Sequence, residues 1–192
     1  VRTRHVKKEA PRGQIPNLPM AERKFDFFVN HCQKSGQDQC GKLADRLKAA
    51  GCCVWYDMNA EDLTEHGMEV GVSQSRNVLM FLSDDLMARP FCLKEQRWGI
   101  EYGCKFVGVM EKDDRHGKAD FAEEKEKAPD DLKHLLDEVE FLDFQRREFQ
   151  LKALIEELMR AIYADFDAIC GASNDALDGG GEPEQGEGEG RG

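Results

Sequence analysis

Two rhythms of apolar spacing alternate along the chain. Five short apolar runs, "FDFFVN" (25–30), "CCVWY" (52–56), "NVLMFL" (77–82), "KFVGVM" (105–110) and "VEFLDF" (139–144), have the length and polar boundaries of strands. Between them the spacing becomes helical. From Gln39 onward, Cys40, Leu43, Ala44, Leu47 and Ala50 share one face, and Gly51 is placed to stop that helix. A brief helix is expected over Met68–Ser75, and an amphipathic one behind Pro90 in "ARPFCLKEQRWGIEYG" (88–103). Leu151, Leu154, Ile155, Leu158, Met159 and Ile162 form a closing helical stripe whose role is core packing.

The polar intervals read as loops: "HCQKSGQD" (31–38), "DMNAEDLTEHG" (57–67) and the highly charged "EKDDRHGKADFAEEKEKAPDD" (111–131). The last reads as a surface excursion, with His116 a solvated residue rather than a ligand. Strands alternating with helices imply an α/β fold, a doubly wound parallel sheet. "NVLMFL" has no polar face, so it belongs among the inner strands, covered on both sides. Sites in such sheets open beyond the carboxyl ends of the strands, here near Asn30, Asp57, Ser83 and Glu111.

Composition narrows the function classes. A net charge of −11 argues against nucleic acid as the main partner. No apolar run is long enough for a transmembrane segment. Residues 1–22 read as a basic disordered arm and 167–192 as a Gly/Glu-rich disordered tail, leaving 23–166 as the domain. Seven cysteines without a CxxC or a Cys/His cluster point to buried reduced thiols in a cytoplasmic protein, with no metal site. No GxGxxG follows the first strand, which excludes a Rossmann dehydrogenase, and P-loop and zinc-protease motifs are absent.

Three motifs in order resemble the Toll/interleukin-1 receptor (TIR) domain family. "FDFFVNH" is similar to its first strand, "AAGCCVWYDMNAEDLTEHG" to its second strand and BB loop, and "SRNVLMFLSDDLMARPFCLKE" to its third strand and the Ser-x-Trp-Cys-Leu-x-Glu helix start. The resemblance covers about 140 residues and implies a flavodoxin-like fold with strand order 2-1-3-4-5. The chain departs from the pattern at Phe91 (usually Trp), at Arg89-Pro90, at Gln96 and in a BB loop without proline.

The family implies two functions. Some members cleave the nicotinamide–ribose bond of NAD, taken as substrate with no cofactor; others are scaffolds acting through TIR–TIR association. The glutamate of Cys-Leu-x-Glu, essential in the enzymes, maps onto Glu95. One carboxylate can suffice, because nicotinamide leaves as a neutral group and the remaining task is to stabilise positive charge on the ribose. The competing reading of Glu95 is a solvated helix residue. Asn30, His31, Gln33, Ser35, Asp57, Ser83, Arg89 and Cys92 are candidate substrate contacts, each with a plain structural role as its alternative. Leu63 and Gly67 are candidates for the association loop of a homo-oligomer. A phosphoacceptor receiver domain is disfavoured, since Asn30-His31 and Ser83 stand where its acidic residues would be.

Overall fold

The computed structural model describes residues 15–57 and 64–163. The candidate Leu63, the residues before Ile15 and the Gly/Glu-rich tail lie outside these residues. Five parallel strands form one sheet in the order β2-β1-β3-β4-β5. They are β1 (Phe25–His31), β2 (Val54–Trp55), β3 (Ser75–Leu82), β4 (Lys105–Met110) and β5 (Phe141–Asp143). This is the expected order, and β3 is the central strand, paired to β1 on one side and β4 on the other.

Alternation along the strands sorts side chains to the two faces. Phe27, Val29, Leu79, Phe81 and Val109 pack under helices α1 (Gln33–Ala49) and α6 (Glu148–Ile162), whose Leu43, Leu47, Leu151 and Leu154 complete that core. Phe28, Val78, Met80 and Leu82 pack on the opposite face under α2 (Glu65–Ser73) and α3 (Pro90–Glu101), through Val72 and Cys92. Each layer is apolar, so β3 needs both.

Several boundaries differ from those read in the sequence. Helix α1 starts at Gln33 rather than Gln39, so the polar stretch after β1 is two helical turns. Its Gly36 lies against Phe81, where an added Cβ would come within 3.0 Å of the ring, so contact with the sheet is made by a residue with no apolar signature. Strand β2 keeps only two of the five apolar residues of its run. Helix α2 begins at Glu65, capped by the Thr64 hydroxyl, which accepts the Gly67 N–H at 3.1 Å. Gly67 is therefore in a helical first turn, not in a loop.

The charged stretch after β4 is not a plain surface excursion. It contains α4 (Phe121–Lys127) and leads into α5 (Lys133–Glu138). Glu111, Glu124, Ala119, Ala128 and Leu132 within or beside it are buried. Its charges are paired: Arg146 holds the Glu111 carboxylate with both guanidinium nitrogens, and Gln39 Nε2 donates to Glu111 at 3.1 Å. His116 is exposed, as expected.

The arm ends earlier than residue 22. Ile15 packs on the core layer under α2 and α3, and the buried Arg23 guanidinium donates to Leu18 O (3.1 Å), Asn17 Oδ1 (3.2 Å) and Ser75 O (2.8 Å), and to Tyr102 O. Five of the six described cysteines are buried and all are free; Cys53 is exposed.

The three-residue edge strand β5 docks over Gly108. A Cβ there would meet the Phe141 ring at 2.5 Å and the Glu140 carbonyl at 2.8 Å. The backbone atom cannot rotate away, so Gly108→Ala is expected to cost about 1–3 kcal/mol. A urea midpoint unchanged from the unsubstituted protein would show that β5 shifts freely.

Candidate functional site

The site forms where β1 ends and α3 begins. Pro90 opens α3 at its first position, where a missing N–H costs nothing and φ is already helical. One turn later Glu95 points inward, 5% exposed, against the end of β1. The residue facing it is Asn30, which is fully buried. Asn30 Nδ2 donates to Glu95 Oε2 at 2.7 Å and to Cys92 O at 3.1 Å, while its Oδ1 accepts from Gln96 Nε2 at 3.0 Å. All of these bonds fix one orientation of the amide, and with it the rotamer of the carboxylate.

Burial pushes the Glu95 carboxyl up to about 8; the Asn30 hydrogen bond opposes this and the nearby Asp57 charge adds to it. A solvated helix residue would show none of these features. The Cys92 thiol donates to His31 O at 3.3 Å, and burial raises its pKa, so it is a packed thiol rather than a nucleophile.

A second group adjoins the first. His31 Nε2 lies 3.8 Å from Asp57 Oδ1, and Gln33 Nε2 donates to Asp57 Oδ2 at 3.1 Å. Burial lowers the His31 pKa, partly offset by Asp57, which leaves a neutral imidazole at pH 7. His31 Nε2 and Asp57 Oδ1 are both buried without a hydrogen-bond partner. They are polar atoms left over beside the carboxylate, a feature expected of binding sites.

The other candidates are placed differently. Ser35 and Ser83 pair their hydroxyls at 2.9 Å, and Ser35 also donates to Asp84 O at 2.6 Å. This tie joins α1 to the loop after β3 and leaves Ser83 fully buried. Arg89 pairs with Asp85 at 3.4 Å on a partly exposed surface. Gly67 lies in the first turn of α2, where its N–H is taken up by the Thr64 cap. The structure thus brings together Glu95, Asn30 and Cys92, with His31, Asp57 and Gln33 beside them.

Two participants carry no signal of their own in the sequence. Gln96, a departure from the family pattern, is buried and orients Asn30. Met87 accepts from Gln96 Nε2 through its sulfur at 3.6 Å. Among the described residues one acidic cluster, Asp84, Asp85 and Glu124, has ligand-like spacing. The Lys127 ammonium occupies it, at 3.4, 3.2 and 2.9 Å from the three carboxylates, so a side-chain cation already sits where a metal ion would.

Comparison with known proteins agrees with this architecture. No curated protein matches the chain in sequence. Among solved structures, the TIR domain of the Toll-related receptor TRR-2 from Hydra magnipapillata superposes with a TM-score of 0.52 at 12% identity, covering 72% of this chain and 98% of that one. The TIR domains of the activated Roq1 resistosome, which recognises the pathogen effector XopQ, superpose with a TM-score of 0.54 at 13% identity, over 73% of this chain and 100% of that one. At such identities the likeness concerns the fold alone. The sequence model of the TIR domain matches residues 27–159, from β1 into the last helix, and the chain belongs to the TIR domain family.

Proposed function

We propose that this TIR domain is an NAD glycohydrolase acting in a cytoplasmic signalling or stress response, with Glu95 as its working carboxylate. The observation that carries the reading is the burial of Glu95 with its carboxylate oriented by Asn30, at the carboxyl end of the sheet. Cleavage breaks the bond between ribose C1′ and the nicotinamide nitrogen. The electron pair moves to the pyridinium nitrogen and neutralises it, and positive charge develops on the ribose. A desolvated carboxylate stabilises that charge strongly, because little water screens it. Water then adds to C1′ and releases a proton, giving ADP-ribose, or a ribose hydroxyl adds to give a cyclic product. A carboxylate that holds a proton near neutral pH is also a suitable acceptor for it. The unpartnered His31 Nε2 and Asp57 Oδ1 are the proposed contacts for substrate hydroxyls. The free cysteines are consistent with a reducing compartment.

One observation favours the scaffold reading as a second. Phe91 is 41% exposed and meets Trp98 edge-on at 6.5 Å, an apolar pair on the outer side of α3 suited to contact with another TIR domain. The two readings separate in one experiment, in which the purified protein is incubated with NAD over a range of protein concentrations and the nucleotides are resolved by chromatography. Nicotinamide and ADP-ribose, or its cyclic form, should accumulate, with a rate rising faster than linearly with protein if association assists. Rates strictly proportional to protein down to nanomolar concentration would indicate a self-sufficient monomer. Intact NAD at every concentration leaves the scaffold as the function.

A further inference from the structure

We propose that Glu124 is a positioning residue, which holds the loop after β3 so that this loop, through Met87, Gln96 and Asn30, fixes the Glu95 carboxylate. The proposal rests on the reading of Glu95 as the working group, but its main test does not.

Glu124 sits on α4, distant in sequence from the site, and is 1% exposed. A buried carboxylate is costly unless its oxygens are satisfied. Here they are: Oε1 accepts the Asp85 N–H and the Lys127 ammonium, and Oε2 accepts the Met87 N–H, all at 2.9 Å. Both N–H donors belong to the loop between β3 and α3. That loop contains Asp85 at φ 67, the one non-glycine residue with positive φ among the described residues. A left-handed turn at an aspartate needs external support, and the Glu124 carboxylate bridges the turn from one side to the other.

The held loop connects to the site by two routes. Met87, fully buried, receives Gln96 Nε2 at 3.6 Å; the same nitrogen donates to Asn30 Oδ1 at 3.0 Å, and Asn30 Nδ2 donates to Glu95 at 2.7 Å. Separately, Asp84 O receives the Ser35 hydroxyl at 2.6 Å, which ties the loop to the first turn of α1. Releasing Met87 frees Gln96, loosens Asn30 and lets water reach the buried Glu95 carboxylate.

The test is the titration of Glu95 itself. The titratable groups around it are His31 and Cys32 at the end of β1, Asp57 after β2 and Cys92 on its own helix, and Glu124→Gln alters none of these. In protein labelled with 13C at the glutamate carboxyl, the Glu95 resonance is identified by its loss in Glu95→Gln and followed from pH 4 to pH 10. In Glu124→Gln an amide N–H2 replaces one acceptor and faces a backbone N–H, so the loop is released. The Glu95 midpoint is then expected to fall by about one unit or more, as hydration returns to the carboxylate. In the same variant kcat for NAD, read at pH 9 where Glu95 is ionised in both proteins, should fall roughly tenfold to a hundredfold, the scale for a displaced catalytic group, with a smaller change in KM. A role confined to stability would lower the melting point and leave the Glu95 midpoint of the folded protein in place, which overturns the proposal. If Glu124→Gln yields too little folded protein, the titration is read in Asp85→Gly/Glu124→Gln, since glycine adopts φ 67 without strain; an unshifted midpoint there has the same force. If the unsubstituted protein cleaves no NAD, the proposed activity fails, and the titration alone decides the role of Glu124.

Discussion

Replacing Glu95 by Gln is expected to lower the rate of NAD cleavage at least roughly a hundredfold, the scale for losing one preorganised electrostatic partner. The structure makes this substitution more informative than alanine. Glutamine can present its carbonyl oxygen to Asn30 Nδ2, preserving the 2.7 Å contact and the shape of the side chain. What it cannot supply is negative charge opposite the ribose. Glu95→Ala removes the hydrogen bond as well and leaves the Asn30 amide with an unfilled donor. The two variants should be equally slow if charge is what matters. Glu101, exposed on the last turn of the same helix, is the internal control, and Glu101→Ala should retain nearly full activity. Initial rates, with folding checked by circular dichroism, decide the matter. Cleavage surviving in both Glu95 variants would remove this residue from the mechanism.

The sequence pattern carried the fold further than the site, and the physical reasons can be traced to particular residues. β3 is legible because "NVLMFL" is apolar at every position after Asn77, and a strand without a polar face has few places other than the centre of a covered sheet. The order of strands came instead from resemblance, since apolar alternation does not rank parallel neighbours. The early start of α1 was hidden because its sheet-facing contact is Gly36, a residue without a hydrophobic signal. α4 was hidden for a related reason. Its composition, "FAEEKEK", is charged, yet Glu124 and Lys127 neutralise each other and the carboxylate faces inward to backbone donors rather than outward to water. Charge patterns reveal solvation only when the charges lack buried partners.

The site divides along the same line. Glu95 was legible through its motif, and Asn30 and Cys92 through their positions at a strand end and in the motif. Their hydrogen bonds could not be read from spacing, because they join residues more than sixty positions apart. Gln96 counted in the sequence as a departure from the family pattern. In the structure it holds the Asn30 amide, so the departure supplies an orienting donor where an apolar residue would supply none. Ser83 shows the reverse outcome. It lies at the expected strand end, but its hydroxyl is directed into the tie with Ser35.

The final expectation concerns pH, where function and stability should move in opposite directions. Burial raises the Glu95 pKa from its ordinary value near 4.5 to about 8 in the folded protein. Catalysis needs the ionised form, so kcat/KM should rise with pH and level off above about 8, with rates on the order of thirtyfold lower at pH 6.5 than at pH 9. Stability follows the opposite slope. Between pH 4.5 and 8 the folded state keeps a proton on Glu95 that the unfolded chain has lost, so stability falls as pH rises through this window. The contribution is fully present below the unfolded value and gone above the folded one, a difference on the order of a few kcal/mol. Glutamine carries no such proton. Glu95→Gln should therefore match the unsubstituted protein near pH 4.5 and melt several degrees higher at pH 8.5, at about 2–4 °C per kcal/mol for a domain of this size. His31, whose neutral form is favoured by burial, is present in both proteins, so its direct contribution largely cancels in the comparison. Calorimetric melting of the two proteins at pH 4.5, 7 and 8.5 measures the difference. A gap that stays constant across that range would mean that Glu95 is ionised throughout and carries no desolvation strain. A gap that widens with pH would identify the carboxylate as a group the fold holds at a cost to its own stability, as expected of one retained for chemistry.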